Sequence, residues 1–139
     1  MKNVFVVLAL IFSSAVIQAQ AEKTNTITVT IDNIVNDNGT VLFSLHTQDT
    51  FMKGPGIKNE GSTIENGSVT ITFTDVAPGE YAIMALHDEN DNRRMDFEAN
   101  GMPKESYGMS GNDMSFGPPS YQAAKFTYEG GTKKLTLMF

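Results

Sequence analysis

The chain has no cysteine and no tryptophan among its 139 residues, and it has only two histidines. Without cysteine there can be no disulfide bond, thiol nucleophile, cysteine-ligated zinc site or lipid on an N-terminal cysteine. Basic residues are also scarce, since ten Lys and Arg stand against sixteen Asp and Glu and give a formal net charge of −6. Because an acidic chain repels phosphate backbones, we do not expect a nucleic-acid partner.

Long apolar runs are absent except near the N-terminus. There Lys2 precedes an apolar stretch over 4–12, and polar and small residues follow, ending in Gln18-Ala19-Gln20-Ala21. A charged start, an apolar centre and an Ala-x-Ala sequence are typical of a secretory signal peptide. The alternative is a retained N-terminal anchor, but the stretch is short for a bilayer. We therefore expect residues 1–21 to be cleaved, and an exported protein, periplasmic or extracellular, without a membrane span after cleavage.

Residues 22–139 are enough for one domain and too few for two ordinary ones. Alternation of β-branched or aromatic residues with polar ones predicts strands. Such alternation occurs over 26–31, 41–46, 68–73, 124–128 and 135–139, and a short strand near Ile57 or Ile64 is less distinct. The run 81–86 is apolar at both parities, as expected of a central strand that is covered on both faces.

Turn residues separate the predicted strands. Asn38-Gly39 and Glu129-Gly130-Gly131 predict hairpins, Asn66-Gly67 predicts a turn, and Pro78-Gly79 predicts a type II turn. The expected fold is an all-β, antiparallel sandwich of six or seven strands, immunoglobulin-like or transthyretin-like, with a small barrel as the alternative. Residues 88–120 have no strand or helix period, and their aromatic and methionine content predicts one long ordered loop.

Acidic and amide side chains recur at every second position at the start of this loop. Calcium takes six to eight oxygens, and loops supply them from alternate positions. The predicted ligands are Asp88, Asn90, Asn92, the carbonyl of Arg94, and Asp96. Ala99 stands where a bidentate glutamate would close the site, so Glu98 or Glu105 must provide that ligand. The sequence thus predicts a structural Ca²⁺ site, and the alternative is a set of side chains that cap their own backbone.

Several motifs of the mature chain resemble one family. They are the runs 78–83 (Pro-Gly-Glu-Tyr-Ala-Ile), 87–90 (His-Asp-Glu-Asn), 101–105 (Gly-Met-Pro-Lys-Glu), 107–108 (Tyr-Gly) and 117–119 (Gly-Pro-Pro). Together they resemble DUF 2141, an exported bacterial domain of unknown function, and more broadly the prealbumin-like sandwich modules. The resemblance implies export and a sandwich, and it implies no activity. The family usually has Gly where this chain has Arg93, which implies a costlier backbone conformation and a positive charge beside the proposed ion.

Two other metals are possible on sequence grounds. His46 and His87 both stand at strand ends, and a zinc site would need them to meet at one rim. Thioethers bind Cu(I), and four methionines fall in the long loop, although methionine more often fills irregular gaps. These are Met95, Met102, Met109 and Met114.

Catalysis is not expected. Ser110 and Ser115 have no base nearby in the sequence, and Asp88 with Asp96 would serve hydrolysis only in a sugar-sized cleft. The favoured hypothesis is a non-catalytic exported module, stabilised by calcium, that presents its loop to a protein partner. The alternatives are a small-ligand or glycan-binding module and, less favoured, a hydrolase with its site in the same loop. A glycan would stack on Tyr107, Phe116 and Tyr121.

Overall fold

The structure is a computed structural model that describes residues 24–113 and 117–139. The predicted signal peptide therefore lies outside the described residues, as do Met114, Ser115 and Phe116. The described residues form eight strands and one short helix. They are β1 (Thr26–Ile31), β2 (Thr40–His46), β3 (Lys58–Thr63), β4 (Val69–Phe73), β5 (Gly79–Asp88), β6 (Tyr107–Met109), α1 (Tyr121–Ala124), β7 (Phe126–Tyr128) and β8 (Thr132–Thr136).

The strands form two sheets. One has the order β4-β1-β8, and the other has the order β3-β2-β5-β6, with β7 also paired to β5. The β1–β8 pair is parallel and the other strand pairs are antiparallel. The predicted all-β sandwich is confirmed, but it has eight strands where six or seven were expected, and its β1–β8 pair is parallel. The strand β6 lies inside the region predicted as one loop, and the strand predicted over 124–128 begins at Phe126 because Ala124 ends α1.

The core lies between the two sheets, because every second side chain of a strand points inward. Ile27, Val29 and Ile31 of β1 face Val41 and Phe43 of β2 across this core, and all five are fully buried. Full burial of each such side chain stabilises the fold by about 1.5–3 kcal/mol. The alternation seen in the sequence is therefore the inward face of a sandwich.

Two predicted hairpins are wrong. β1 and β2 lie in different sheets, and so do β7 and β8. The turn at Gly130 and Gly131 has φ values of 91° and 75° and carries the chain from one sheet to the other. Alternation shows which face of a strand is buried but does not show which strand it pairs with, and a glycine turn serves either connection.

Of the two remaining predicted turns, the one at Asn66-Gly67 is confirmed and the one at Pro78-Gly79 is wrong. Asn66 and Gly67 have φ values of 51° and 71°, and Glu65 pairs with Ser68, as in a type I′ hairpin turn. The type II turn predicted at Pro78-Gly79 is wrong, because the left-handed residue there is Asp75 and Gly79 already begins β5. The hydroxyl of Tyr81 then donates to the carbonyl of Ala77 at 2.6 Å, which fixes this corner to the start of β5.

Ser110 joins β5 to the helix α1. Its hydroxyl, 2% exposed, accepts the N–H of Ile83 at 2.9 Å and donates to the carbonyl of Ala124 at 2.5 Å. Both hydrogen bonds are buried, and each satisfies a backbone group that is shielded from solvent. The serine is therefore a structural link between the sheet and α1.

Replacing Ser110 with Ala is expected to lower the free energy of unfolding by about 1–3 kcal/mol, because two buried backbone groups lose their partner. Urea unfolding measures this loss. Ser62→Ala is the control, since the Ser62 hydroxyl bonds only to the carbonyl of its neighbour Thr63 near the surface. Equal midpoints for the two variants would contradict the assignment.

Candidate functional site

The segment 89–106 begins where β5 ends and returns to the sheet at β6. The predicted loop 88–120 is thus divided by β6, because Asp88 still belongs to β5 and Tyr107–Met109 pairs with Met84–Leu86. A strand of three residues is too short to give a detectable period, which is why the sequence did not indicate it.

The carboxylate of Asp88 organises the start of the segment. It is 1% exposed, and its Oδ1 accepts the N–H of Asn92 at 3.1 Å while its Oδ2 accepts the N–H of Arg93 at 2.7 Å. The Oδ1 of Asn90 also accepts the N–H of Asn92, and the Oδ1 of Asn92 accepts the N–H of Arg94. These side chains cap the backbone of their own turn, as in the alternative to the calcium hypothesis.

Asp96 draws the two asparagines together. The Nδ2 atoms of Asn90 and Asn92 each donate to its Oδ2 at 2.7 Å, and the Nε of Arg94 lies 3.8 Å from its Oδ1. The hydrogen bond from Asn90 is the largest cause that lowers the pKa of Asp96, and Asn92, Arg94 and Lys104 lower it further against partial desolvation. Asp96 is therefore held in its charged form.

Glu105 folds back onto the start of the segment. It is 7% exposed, its Oε1 accepts the N–H of Glu89 at 3.1 Å, and its Oε2 accepts the N–H of Asp96 at 3.1 Å. A closing calcium ligand would have to return in this way, but here both oxygens accept backbone N–H groups. Glu98 has an exposed position in the tight turn that Gly101 and Met102 close.

Within residues 24–113 and 117–139, no group of three or more histidine or acidic side chains is arranged to hold a metal ion. The seven predicted ligands do lie in one segment, and the side-chain oxygens of five of them accept hydrogen bonds within it, namely those of Asp88, Asn90, Asn92, Asp96 and Glu105. The calcium site stays a prediction.

Arg93 has the costly left-handed backbone conformation that the family resemblance implied. Its φ is 63°, in the left-handed region that glycine adopts without penalty, and that part of the prediction is confirmed. The left-handed turn brings its N–H onto Asp88 at 2.7 Å. The strain is thus compensated by a hydrogen bond to a buried carboxylate.

Replacing Arg93 with Gly is expected to raise the free energy of unfolding by roughly 0.5–1 kcal/mol. The left-handed conformation costs a non-glycine residue about 1–2 kcal/mol, and part of that gain is offset by the greater freedom of glycine in the unfolded chain. Urea unfolding measures the change. Arg94→Gly is the matched control, because the φ of Arg94 is not positive, and it should be neutral or destabilising. Equal destabilisation by both substitutions would contradict the expectation.

Residues 96–104 form a narrow hairpin. The N–H of Lys104 donates to the carbonyl of Asp96 at 2.8 Å, Phe97 pairs with Pro103, and Gly101 turns the tip with a φ of 84°. Phe97 is 58% exposed, which is unusual for so large an apolar side chain. The hairpin therefore stands as a wall above the sheet and is not packed into the core.

A cavity of about 400 Å³ lies between this wall and the outer face of the β2–β5 pair. The sheet contributes Leu42, Ser44, Met84 and Leu86, in which Leu42 opposes Leu86 and Ser44 opposes Met84. The segment 89–106 contributes Arg93, Met95, Phe97 and Pro103, and the rim includes Met52, Tyr107 and Pro119. The lining is largely apolar. The sequence analysis did not predict this cavity. The apolar residues at both parities of β5 did indicate an apolar outer face, which is the face that the cavity covers.

The two histidines do not meet. In the β2–β5 register Val41 opposes His87 and His46 opposes Ala82, so the histidines lie at opposite ends, about 17 Å apart along the strands. His87 is fully buried, with its Nε2 2.7 Å from the carbonyl of Asn38, and its ring stacks on Phe139. Burial lowers the pKa of His46, against a hydrogen bond with Thr50. No shared zinc site follows from this placement.

The methionines considered as copper ligands, as far as the structure describes them, lie in three different environments. Met95 lines the cavity, Met102 is exposed beside the hairpin tip, and Met109 packs in a small cluster with Phe51 and Ala82. Each of these positions is typical of methionine as a flexible apolar side chain.

The aromatic residues predicted for glycan stacking are also divided. Tyr107 is 38% exposed and lines the cavity. Tyr121 instead packs edge-on against Phe51 at 5.8 Å. Because Phe116 lies outside the described residues, the aromatic surface that the structure does show is the pair Tyr107 and Phe97 at the cavity.

Fold and site together define a β-sandwich with an apolar cavity on the outer face of one sheet. The chain matches the family described as an uncharacterized protein conserved in bacteria (DUF2141) over residues 29–136, and it belongs to that family. The match runs from β1 to the end of β8 and includes the whole segment 89–106. Neither the curated proteins nor the solved structures include a match to the chain. Of the described residues, none form a helix of the length and apolarity needed to cross a membrane.

Proposed function

We propose that this protein is an exported, non-catalytic module that binds a small apolar ligand in the cavity between the hairpin 96–104 and the β2–β5 pair. The observation that carries the proposal is the cavity itself. Its volume of about 400 Å³ falls in the range of about 300–1,000 Å³ that is usual for small-molecule sites.

The exposed apolar side chains around the cavity support this proposal. Met52 and Phe97 are each 58% exposed, and both line the cavity together with the half-exposed Tyr107. Soluble proteins seldom leave several large apolar side chains exposed together unless a ligand or a partner covers them. A bound apolar molecule would cover all three.

The hydrogen bonds that buried polar side chains make to the backbone support a non-catalytic role. Both carboxylate oxygens of Asp88 and of Glu105 accept backbone N–H groups, and the hydroxyl of Ser110 bridges two backbone groups. A general base must lie within hydrogen-bond reach of its substrate, and all three of these side chains are buried. Export rests on the signal-peptide pattern of residues 1–21.

Binding of the neutral fluorescent probe N-phenyl-1-naphthylamine tests this function. We expect saturable binding that Phe97→Ala weakens about tenfold, which corresponds to about 1.4 kcal/mol of lost apolar contact. Val35→Ala is the matched control, because Val35 is also strongly exposed but does not line the cavity. Equal affinities for the two variants, or no saturable binding, would refute the cavity as a ligand site.

A structural calcium ion in the segment 88–105 is a second candidate, and the convergence of three side chains favours it. Asn90 and Asn92 both lie at 2.7 Å from the same oxygen of Asp96. Rotation of the two amides would direct oxygens where their nitrogens now lie, and it would break the hydrogen bonds that those oxygens accept from Asn92 and Arg94. A bound cation would have to compensate for that loss. The proposed ligands are Asp88, Asn90, Asn92, the carbonyl of Arg94, Asp96, and either Glu98 or Glu105.

Thermal unfolding with calcium and then with a chelator tests this second candidate. Calcium at a hundredfold excess over its dissociation constant should stabilise the fold by about 2.7 kcal/mol. Asp96→Asn should remove most of the calcium-dependent shift, and Asp32→Asn, which changes an exposed aspartate outside the segment, should retain it. Coincident transitions with and without calcium would exclude the ion.

A further inference from the structure

We propose that the ligand of this cavity is an amphipathic monoanion, a flexible apolar chain that ends in a carboxylate, and that Arg93 binds the carboxylate. The inference rests on the proposed ligand-binding function and assigns the chemical class of the ligand.

Among the described residues that line the cavity, Arg93 is the one with a charged side chain. Within the part of the chain that the structure describes, its guanidinium makes no ion pair or hydrogen bond, whereas the neighbouring Arg94 lies against Asp96. The backbone of Arg93 is fixed by its hydrogen bond to the buried Asp88. A fixed backbone with an unpaired cation beside apolar walls is the arrangement that receives an anionic group.

The chemistry of the guanidinium favours a carboxylate. Its planar fork can donate two parallel hydrogen bonds to the two oxygens of one carboxylate. Although Arg93 is exposed, the apolar lining beside it would contact the rest of the ligand and add to the affinity. Because the formal charge of the chain is −6, a ligand with several negative charges would be repelled by the rest of the protein, and a single charge is favoured.

The walls of the cavity favour a flexible chain over a rigid ring system. Met52, Met84 and Met95 contribute three unbranched thioether side chains, and Leu86 lies beside them. Methionine side chains adapt their shape to the molecule that they contact, and they are common at binding surfaces with variable occupants. An alkyl chain can follow such a lining at little cost.

The occupant we infer is a free amphiphile and not a membrane surface. A membrane-binding face usually carries a cluster of basic residues that meets anionic lipids, whereas this cavity has one arginine. The cavity is also a recess between the sheet and the hairpin, and a recess suits one chain end better than it suits a bilayer plane.

Isothermal titration calorimetry on the protein purified in its exported form tests the proposal. The titrants are dodecanoate, 1-dodecanol and dodecyltrimethylammonium, each below the concentration at which it aggregates. We expect dodecanoate to bind about tenfold or more tightly than the alcohol, and the cationic amphiphile to bind least, because only the carboxylate pairs with a guanidinium.

Two substitutions separate the contribution of Arg93 from that of the cavity. Arg93→Gln should weaken dodecanoate about tenfold and leave 1-dodecanol within twofold, and Arg93→Lys should retain part of the preference for the anion. Arg94→Gln is the matched control and should change neither affinity, because Arg94 does not line the cavity.

The outcomes distinguish the two proposals. Equal binding of dodecanoate and 1-dodecanol, both unchanged by Arg93→Gln, would overturn the anionic class and leave the apolar cavity as the ligand site. No saturable binding of any of the three would overturn both proposals. Sedimentation with phosphatidylcholine vesicles that contain oleic acid, without binding of free dodecanoate, would overturn the free amphiphile in favour of a membrane surface.

Discussion

The shape of this site depends on two buried carboxylates that accept backbone N–H groups. Asp88 binds the turn that follows β5, and Glu105 joins the two ends of that turn by accepting the N–H groups of Glu89 and Asp96. The hairpin above the sheet begins at Asp96, so its position depends on the same pair of carboxylates. Because the cavity is the space that the hairpin leaves above the outer face of the sheet, the proposed ligand site depends on them too.

Much of the fold could be predicted from the sequence, because burial of one parity leaves a period of two. β1 and β4 show it clearly, and the two-sided apolar pattern of β5 identified the central strand. Which strands pair with one another could not be predicted in the same way. β1 and β2 carry the pattern expected of a hairpin, yet they belong to opposite sheets, because alternation fixes a face and not a neighbour. β6 was not predicted because a strand of three residues with a central glycine is too short to show a period of two.

The sequence directed attention to the segment 88–105, but it did not determine the chemistry of that segment. Asp88, Asp96 and Glu105 were named as calcium ligands because oxygens at alternate positions suit a hard cation. The same oxygens suit backbone N–H groups equally well, and a sequence does not show which of the two they meet. The positive charge of Arg93 disfavours a cation in the neighbouring turn. Arg93 also lines the cavity, where we propose that its charge binds the ligand, and only the return of the hairpin over the sheet places the residue there.

The most direct test of the carboxylate pair is amide hydrogen exchange, followed residue by residue by nuclear magnetic resonance. We expect slow exchange at the N–H groups of Glu89, Asn92, Arg93 and Asp96, because each donates to a buried carboxylate. Glu105→Ala should accelerate exchange at Glu89 and Asp96 more than at the amides bound to Asp88. Exchange of all four amides at the rates of an unstructured peptide in the unsubstituted protein would contradict the central claim that these carboxylates hold the segment over the sheet.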